Sequence, residues 1–486
     1  MERNRETSEP AGLIDLLGDW SAAEGPLYRR LTGAFVRAVR AGDLRIGDRL
    51  PSERRLAEAL SVSRATVVAV YDELRGSGLV ETRRGSGTRV SGGADVHRAP
   101  VDGRVRGGQA TAVIQRLVAR PPDLISLGQA AEAGGPDLAE ALLDLVREDL
   151  PGLLLDAGYH PAGLPALRAA IAAHHTAHGL PTTPDQVVVT TGATQAVALS
   201  AQLYLGRGST TIVESPGWPG CLDVLRAAGS RLVGVELDSD GIRIDRLADA
   251  LARHRPALLY VMPTYHNPTG TLMSAGRRRR VAELAAEHGV TILEDSAHAA
   301  ALAPGQAPPP IAAEPAGATV LTVGSLAKAV WGGLRIGWIR APQDTVARLA
   351  RLKALDDLGS PVLDQALAAR LLPALPALAP ERDRILRERL ATTTRLLAGQ
   401  LPDWHWQEPQ GGSVLWIRLP PGTDARIYAQ LALRHGAEVI PGATMDPTGT
   451  HDNYIRLPYS FTPETAAELI SRLSTAWAAL PRSSVR

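Results

Sequence analysis

Apolar positions follow two different rhythms along the chain. Over residues 26–45, Leu27, Leu31, Phe35 and Val39 recur at four-residue steps, which predicts a helix with one buried face. Gly47 and the run Leu50-Pro51-Ser52 then read as a turn, with Ser52 placed to cap a helix over 53–60 that buries Leu56 and Leu60. Ser61-Val62-Ser63 breaks that helix, and another over 64–74 turns Val67, Tyr71 and Leu74 inward while exposing Arg64, Ala65 and Thr66 at its start. Two short strands, 79–83 and 88–90, flank the basic run Arg84-Gly85-Ser86-Gly87. Two short helices joined by a tight turn, the second with a polar basic N-terminal end, match a helix-turn-helix followed by a wing.

From residue 119 onward short β-branched runs alternate with Ala, Leu and Arg-rich helical stretches. The runs lie at 186–190, 210–213, 232–235, 258–262, 290–293 and 320–323. Strand and helix alternating over this length predict an α/β fold, a mostly parallel sheet with helices on both faces, in which ligands gather at the carboxyl ends of strands. Between the two regimes, 92–118 is rich in Gly, Arg and Val without durable periodicity, and it reads as a linker. The expected organisation is an N-terminal tail over 1–24, a DNA-binding domain over 25–91, the linker, and a large domain over 119–482.

At 486 residues the chain exceeds what one core usually supports, so this division agrees with its length. No run of about 18 consecutive apolar residues is present and the first ten residues are charged, so the expectation is a cytoplasmic protein with no membrane association. A lone cysteine, Cys221, excludes an intramolecular disulfide. The net charge of +1 hides an asymmetry: residues 25–98 carry 14 arginines against 8 acids, a balance of +6, which leaves −5 for the rest. Arginine clustered in a short leading domain points to a polyanionic partner, double-stranded DNA. Only two of the 52 basic residues are lysines, Lys328 and Lys353. Where a generic charge suffices this chain uses arginine, so a surviving lysine is a candidate for amine chemistry that a guanidinium cannot perform. Lys353 has no supporting neighbours and reads as a surface lysine.

The loops after the predicted strands carry that chemistry. Thr191-Gly192-Ala193-Thr194 precedes a helix and offers free amides and a helix dipole to a phosphate. Trp218, in Glu214-Ser215-Pro216-Gly217-Trp218, offers a flat indole for stacking. Asn267 lies in Pro263-Thr264-Tyr265-His266-Asn267-Pro268-Thr269-Gly270 as a rigidly held donor, and Asp295 ends a strand where a carboxylate can keep a pyridinium protonated. Ser325-Leu326-Ala327-Lys328 supplies a hydroxyl and the amine, and Arg335 sits between glycines in Gly333-Leu334-Arg335-Ile336-Gly337.

Pro26-Leu27-Tyr28, the run 47–54, the run 62–67 and the wing together resemble the winged helix-turn-helix of GntR-type bacterial regulators. That resemblance implies Arg49, Ser52, Arg54, Arg64, Thr66, Arg84 and Gly85 as positions at the DNA. The loops of the large domain resemble fold-type I pyridoxal-phosphate enzymes of the aspartate aminotransferase class, with a smaller C-terminal α+β subdomain. The resemblance implies pyridoxal 5'-phosphate as cofactor, with Lys328 forming the internal aldimine, Asp295 pairing with the pyridine nitrogen, Asn267 donating to the ring hydroxyl and Trp218 stacking on the ring. Ala193, Thr194, Ser325 and Arg335 would hold the phosphate, Arg456 would clamp a substrate or effector carboxylate, and Tyr159 would reach the phosphate of a second subunit, implying a homodimer. One departure is that the run Asp295-Ser296-Ala297-His298 lacks the family's tyrosine after the aspartate. His298 is either its replacement as a donor or a packed histidine.

The combination resembles the MocR subfamily of GntR regulators, which implies a transcription factor sensing pyridoxal phosphate or an amino-compound effector, with at most partial transaminase activity. The alternative is a working aminotransferase carrying a DNA-binding module. Two further features are discounted: His174, His175 and His178 read as a solvated helix face and not a metal site, and Arg277 to Arg280 as surface charge.

Overall fold

The structure is a computed structural model that describes residues 10–17, 20, 25–40, 43–44, 46–83, 87–91, 123–126 and 136–480. The linker over 92–118 and the wing tip with Arg84 and Gly85 lie outside the described residues. Near the N-terminus, helices α1 (Pro10–Leu17), α2 (Leu27–Arg40), α3 (Glu53–Leu60) and α4 (Arg64–Gly76) precede a hairpin of β1 (Val80–Arg83) and β2 (Gly87–Val90). Leu31, Phe35, Leu56, Leu60, Val67 and Leu74 are buried together, and Phe35 meets Tyr71 edge-on with ring centres 6.2 Å apart. Ser52 caps α3 by accepting from the Arg55 amide, and Ser63 caps α4 by accepting from the Thr66 amide. The stretch expected to be a tail is corrected here: Leu13, Ile14, Leu17 and Trp20 bury into this same core. Their helical spacing was present in the sequence, and its apolar face accounts for the packing.

The large domain begins at β3 (Ile125–Ser126), α5 (Pro136–Asp144) and α6 (Pro165–Ala177). It continues through β4 (Val187–Thr190), α7 (Ala193–Tyr204), β5 (Thr210–Ser215), α8 (Pro219–Ala227), β6 (Arg231–Asp238), β7 (Gly241–Ile242), α9 (Ile244–His254) and β8 (Leu258–Val261). Then come α10 (Ala275–Glu287), β9 (Thr291–Asp295), β10 (Val320–Ser325), β11 (Gly337–Arg340), α11 (Gln343–Asp356), α12 (Val362–Leu371) and α13 (Leu375–Gln400). Strands β4 to β11 form an eight-stranded sheet in the order β4-β11-β10-β9-β8-β5-β6-β7. All the strand runs predicted from the sequence are in it, and neighbours β10, β9, β8, β5 and β6 are parallel. β11, which the sequence reading missed, is antiparallel to both β10 and β4. β4, β8 and β10 are Val and Leu-rich and buried on both faces, as a helix-covered sheet requires.

The C-terminal part packs α13, α14 (Ala425–Arg434) and α15 (Pro463–Ala478) around an antiparallel sheet. Its strands are β12 (His405–Trp406), β13 (Val414–Arg418), β15 (Ile440–Pro441) and β16 (Tyr454–Pro458), while β14 (Ala437–Glu438) pairs with β3. This is the expected α+β subdomain. One stretch, Val362–Gln400, is long and apolar enough by composition to cross a membrane. Asp364 and Arg370 interrupt its apolar run. Leu367, Leu371 and Leu375 within it bury against Leu167 and Ile171 of α6, the packing of a core helix.

Strand β11 sets the position of the turn after β4. Gly337 pairs with Thr190 on one side and Ser325 on the other. A Cβ at 337 would lie 2.7 Å from the Gly192 carbonyl carbon and 2.8 Å from the Gly324 oxygen, all of it backbone. Gly337→Ala should therefore destabilise the protein by about 1–3 kcal/mol, read as a lower denaturant midpoint at unchanged slope; an unchanged midpoint would show that β11 and the turn can separate freely.

Candidate functional site

In the N-terminal domain the first turn of α4 stands open: Arg64 and Ala65 are exposed and Thr66 is half-buried, its hydroxyl 2.8 Å from that of Ser63. Arg64 pairs with Glu53 at 3.1 Å and Arg54 with Glu58 at 3.0 Å, both at the surface, so each pairing is weak enough to be exchanged for a stronger anion. Arg49 is exposed, bridges to Arg89 of β2, and lays its guanidinium against Gly87, where a Cβ would sit 3.1 Å from its Nε. Ser52 is exposed beside it. The structure thus gathers Arg49, Ser52, Arg54, Arg64 and Thr66 on α3, α4 and the approach to the hairpin.

In the large domain the loops at the carboxyl ends of β4, β5, β8, β9 and β10 converge. Asp295, at the end of β9, is 3% exposed and accepts hydrogen bonds from the Tyr260 hydroxyl at 2.7 Å and the Ala297 amide at 3.0 Å. Burial raises its pKa, and those two donors act against that rise. Lys328 follows β10, and burial, with the positive charge of Arg456 nearby, brings its pKa down to about 7. Arg456 lies in β16 of the small sheet, 1% exposed, with its own pKa lowered by burial to about 9. It donates from Nε to Asn267 Oδ1 at 3.0 Å and lies over the Trp218 ring, its guanidinium carbon 5.1 Å from the centroid. One guanidinium therefore ties together the small sheet, the loop after β8 and the indole after β5.

The turn after β4 forms the other end of the site. Gly192 has φ +87 and opens α7, whose first-turn amides have no carbonyl within the helix to bond. Arg335, itself left-handed with φ +53, donates from Nη2 to the Thr191 carbonyl at 2.9 Å. A Cβ on Gly192 would lie 3.0 Å from that nitrogen, so glycine lets the guanidinium lie against the turn. Thr194 is exposed, Ala193 half-buried, and the buried Ser325 hydroxyl accepts from the Ala327 amide. Tyr159 stands apart from this group, 69% exposed.

A cavity of about 240 Å³ opens at Lys328 and is lined also by His298, Tyr265, Asp383, Glu408 and Tyr459. A larger open cleft of about 600 Å³, bordered by Glu236, Asp238, Trp416 and Tyr454, contains none of the expected site residues. His298 is buried, and burial, then Lys328, Arg456 and His266, hold its pKa down to about 3, so it is neutral beside the lysine.

Several residues escaped the sequence reading. Glu214 is 2% exposed and accepts from the Met262 amide at 2.6 Å. Burial pushes its pKa to about 8, with the Asp295 charge adding to that, so it carries a proton at neutral pH. His266 lies 3.5 Å from it, and nothing in the local sequence marks either residue as buried. Tyr265 holds a strained φ of +52 at the cavity wall. Lys353 is not a surface lysine but fully buried, paired with Asp357 across one helical turn. The three histidines are not a solvated face: His175 is buried and accepts from the Trp338 indole at 2.9 Å, because α6 packs on the sheet there. Of the four-arginine run, Arg278 is 1% exposed and donates to the Met273 and Pro263 carbonyls and to Thr264, bracing the loop that carries Asn267.

Comparison with known proteins follows the same division. Residues 27–90 match the model of bacterial regulatory proteins of the gntR family, and residues 155–473 match aminotransferase class I and II. An uncharacterized HTH-type transcriptional regulator, YisV of Bacillus subtilis, is 32% identical over 454 residues, 90% of this chain and 92% of the relative. HTH-type transcriptional regulator TauR of Rhodobacter capsulatus is 30% identical over 93% of this chain and 97% of its own length. Probable rhizopine catabolism regulatory protein MocR of Rhizobium meliloti is 28% identical over 95% of this chain and 96% of its own length. Among solved structures, α-aminoadipate aminotransferase LysN of Thermus thermophilus, complexed with N-(5'-phosphopyridoxyl)-L-leucine, superposes with a TM-score of 0.68 at 29% identity, covering 78% of this chain and 96% of that one.

An amine with a pKa near 7 reacts at neutral pH, where an ordinary lysine, near ~10.4, does not. Acylation of Lys328, followed by peptide mass spectrometry, should rise with pH through about 7. Arg456→Gln should move the rise to higher pH, because loss of the neighbouring positive charge favours the ammonium form. A rise only near ~10 would contradict the burial of this amine.

Proposed function

Because the chain belongs to the MocR subfamily of GntR-type transcriptional regulators, we propose that recognition of an amino compound at Lys328 governs how its helix-turn-helix domain grips DNA. It is a DNA-binding regulator with an aminotransferase-like domain, and the cofactor of that domain is pyridoxal 5'-phosphate. The residues present fit the cofactor. A buried carboxylate, an amine freed of its proton near neutral pH, an indole face, and helix amides with a guanidinium at Gly192 are the groups its nitrogen, aldehyde, ring and phosphate require. When bound, it supplies an aldehyde that exchanges between amines and a ring that draws electrons from the attached carbon.

Around it the chain's own residues divide the work. Lys328 offers a neutral amine, and an incoming amino compound competes with it. Asp295 would hold a proton at the ring nitrogen, and Asn267 would donate to the ring hydroxyl while its oxygen stays bonded to Arg456. Ala193, Thr194, Ser325 and Arg335 would bind the phosphate, and Arg456 would take an effector carboxylate as a bidentate fork. The observation that carries this reading is the burial of Lys328 and Arg456 close enough for the arginine's charge to act on the lysine, so that the amine and carboxylate of a single small molecule would be recognised together.

A homodimer is supported by the exposed apolar surface of Leu143, Leu154, Leu155, Leu355 and Leu358, which a second copy would cover. Tyr159 would then reach the partner's phosphate. A shift between subunits on effector binding changes the spacing of two DNA-reading domains, and with it the preferred half-site separation. Such a protein works in the cytoplasm, where it meets its operator. A second reading, a working aminotransferase, is favoured by the retained Lys328, Asp295 and Asn267 and by a 2-aminoadipate transaminase of Thermus thermophilus that is 31% identical over 300 residues, and is weakened by the missing tyrosine after Asp295.

Footprinting on the protein's own upstream DNA, with pyridoxal phosphate and a panel of amino acids and amines, should reveal an effector that changes the protection pattern. Protection indifferent to every amine would refute the coupling. Multiple turnovers of an amino donor with a keto acid would favour the second reading over a single stoichiometric exchange. Arg64→Ala should weaken DNA binding about tenfold or more and leave cofactor absorbance unchanged; Lys328→Ala should abolish that absorbance and leave residual DNA affinity.

A further inference from the structure

The second lysine of this chain has a place in the fold that chance surface charge does not explain. Lys353, on α11, is fully buried, and its Nζ donates to Gln195 Oε1 at 3.0 Å and to both Asp357 oxygens at 3.0 and 2.7 Å. Gln195 is the third residue of α7, so this contact is made directly behind the Gly192 turn. The same Gln195 oxygen accepts the Thr191 amide at 2.8 Å, and its side-chain nitrogen donates to Asp357 Oδ2 at 3.0 Å.

These contacts fix which way the Gln195 amide faces. Two donors, the Lys353 ammonium and the Thr191 N–H, meet its oxygen, while a carboxylate meets its NH₂. Only one of the two orientations of an amide satisfies all three partners. With Arg335 holding the Thr191 carbonyl at 2.9 Å, the Thr191 residue is gripped at its N–H and at its C=O. The turn is therefore clamped, and the amides that follow it at the start of α7 keep one direction.

Asp357 extends the clamp further. It accepts the Gly359 amide at 2.9 Å, and Gly359, with φ +134, packs so closely on the 158–161 segment that a Cβ there would lie 2.7 Å from the His160 oxygen. Burial alone would raise the Asp357 pKa, but Lys353, Gln195 and the Gly359 amide outweigh it and hold the carboxylate ionised. The loop that bears on Tyr159's segment and the turn at Gly192 thus share one ion pair, its lysine buried and its carboxylate at the surface.

We propose that Lys353, acting through Gln195 and Asp357, is a positioning residue that pre-orients the Gly192 turn for the cofactor's phosphate. The inference rests on the reading of that turn as the phosphate site. Lys353 touches no cofactor atom in this account; it preserves the aim of groups that do, and so its removal should affect a phosphorylated ligand and spare an unphosphorylated one.

The test compares cofactor-free full-length protein with Lys353→Met for binding of pyridoxal phosphate and of pyridoxal, by equilibrium dialysis. Lys353→Met should weaken pyridoxal phosphate about tenfold, the scale of one well-oriented hydrogen bond, and leave pyridoxal unchanged. The pH midpoint of Lys328 labelling should not move. If the single variant does not fold, because an aspartate is left without its cation, Lys353→Met with Asp357→Asn removes both charges and serves as the readable variant. Arg335→Ala provides the control on the reading itself. Loss of phosphate discrimination in Arg335→Ala but not in the Lys353 variant would overturn the inference alone. Discrimination retained in both would overturn the phosphate site and the inference with it, and an equal loss for both ligands in the Lys353 variant would show a merely structural role.

Discussion

Two basic groups buried within reach of each other's field, Lys328 and Arg456, are the constraint on which the remaining arrangement depends. Burial disfavours the charged form of both, the charge of Arg456 adds to the effect on Lys328, and the lysine yields because an ammonium surrenders its proton far more readily than a guanidinium. The outcome is an amine that sheds its proton near neutral pH beside a guanidinium that keeps its own there. In the proposed function this asymmetry would distinguish the amine end from the carboxylate end of a small molecule, with Arg456 held by Asn267 and lying over the Trp218 face.

Holding that pair requires the two sheets to stay in register with each other, and much of the large domain serves this end. Arg278, buried under the loop after β8, braces the backbone from which Asn267 projects. On the other side, Gly337 and Gly192 let β11, β4 and α7 approach without side chains between them, which carries Arg335 to the turn. A protonated Glu214 puts no negative charge in this region that would draw a proton onto the lysine, and His266 is neutral. The DNA-reading domain is built on separate terms, an apolar core of its own with hydroxyl-capped helices whose first turns face outward.

Much of this was legible in the sequence because it is local. Four-residue spacing at Leu27, Leu31, Phe35 and Val39, the cap at Ser52, and loops following β-branched runs are all short-range signals, and the scarcity of lysine singled out Lys328. What stayed hidden is long-range. The burial of Lys353 depends on Gln195, some 158 positions away, and that of Glu214 on the Met262 amide, 48 positions away, so no window of sequence contains either pair. Strand β11 was missed because GWIR is short and begins with glycine, and its partners are chosen by the sheet. The helix at Pro10–Leu17 was missed for a lesser reason: its apolar spacing was there, among residues discounted for their charged beginning.

The most direct measurement is hydride reduction of the protein loaded with pyridoxal phosphate, followed by proteolysis and mass mapping of the peptides. The account predicts one stable cofactor adduct, on the peptide containing Lys328, and none on that containing Lys353. No adduct at Lys328, or one distributed over other amines, would contradict it.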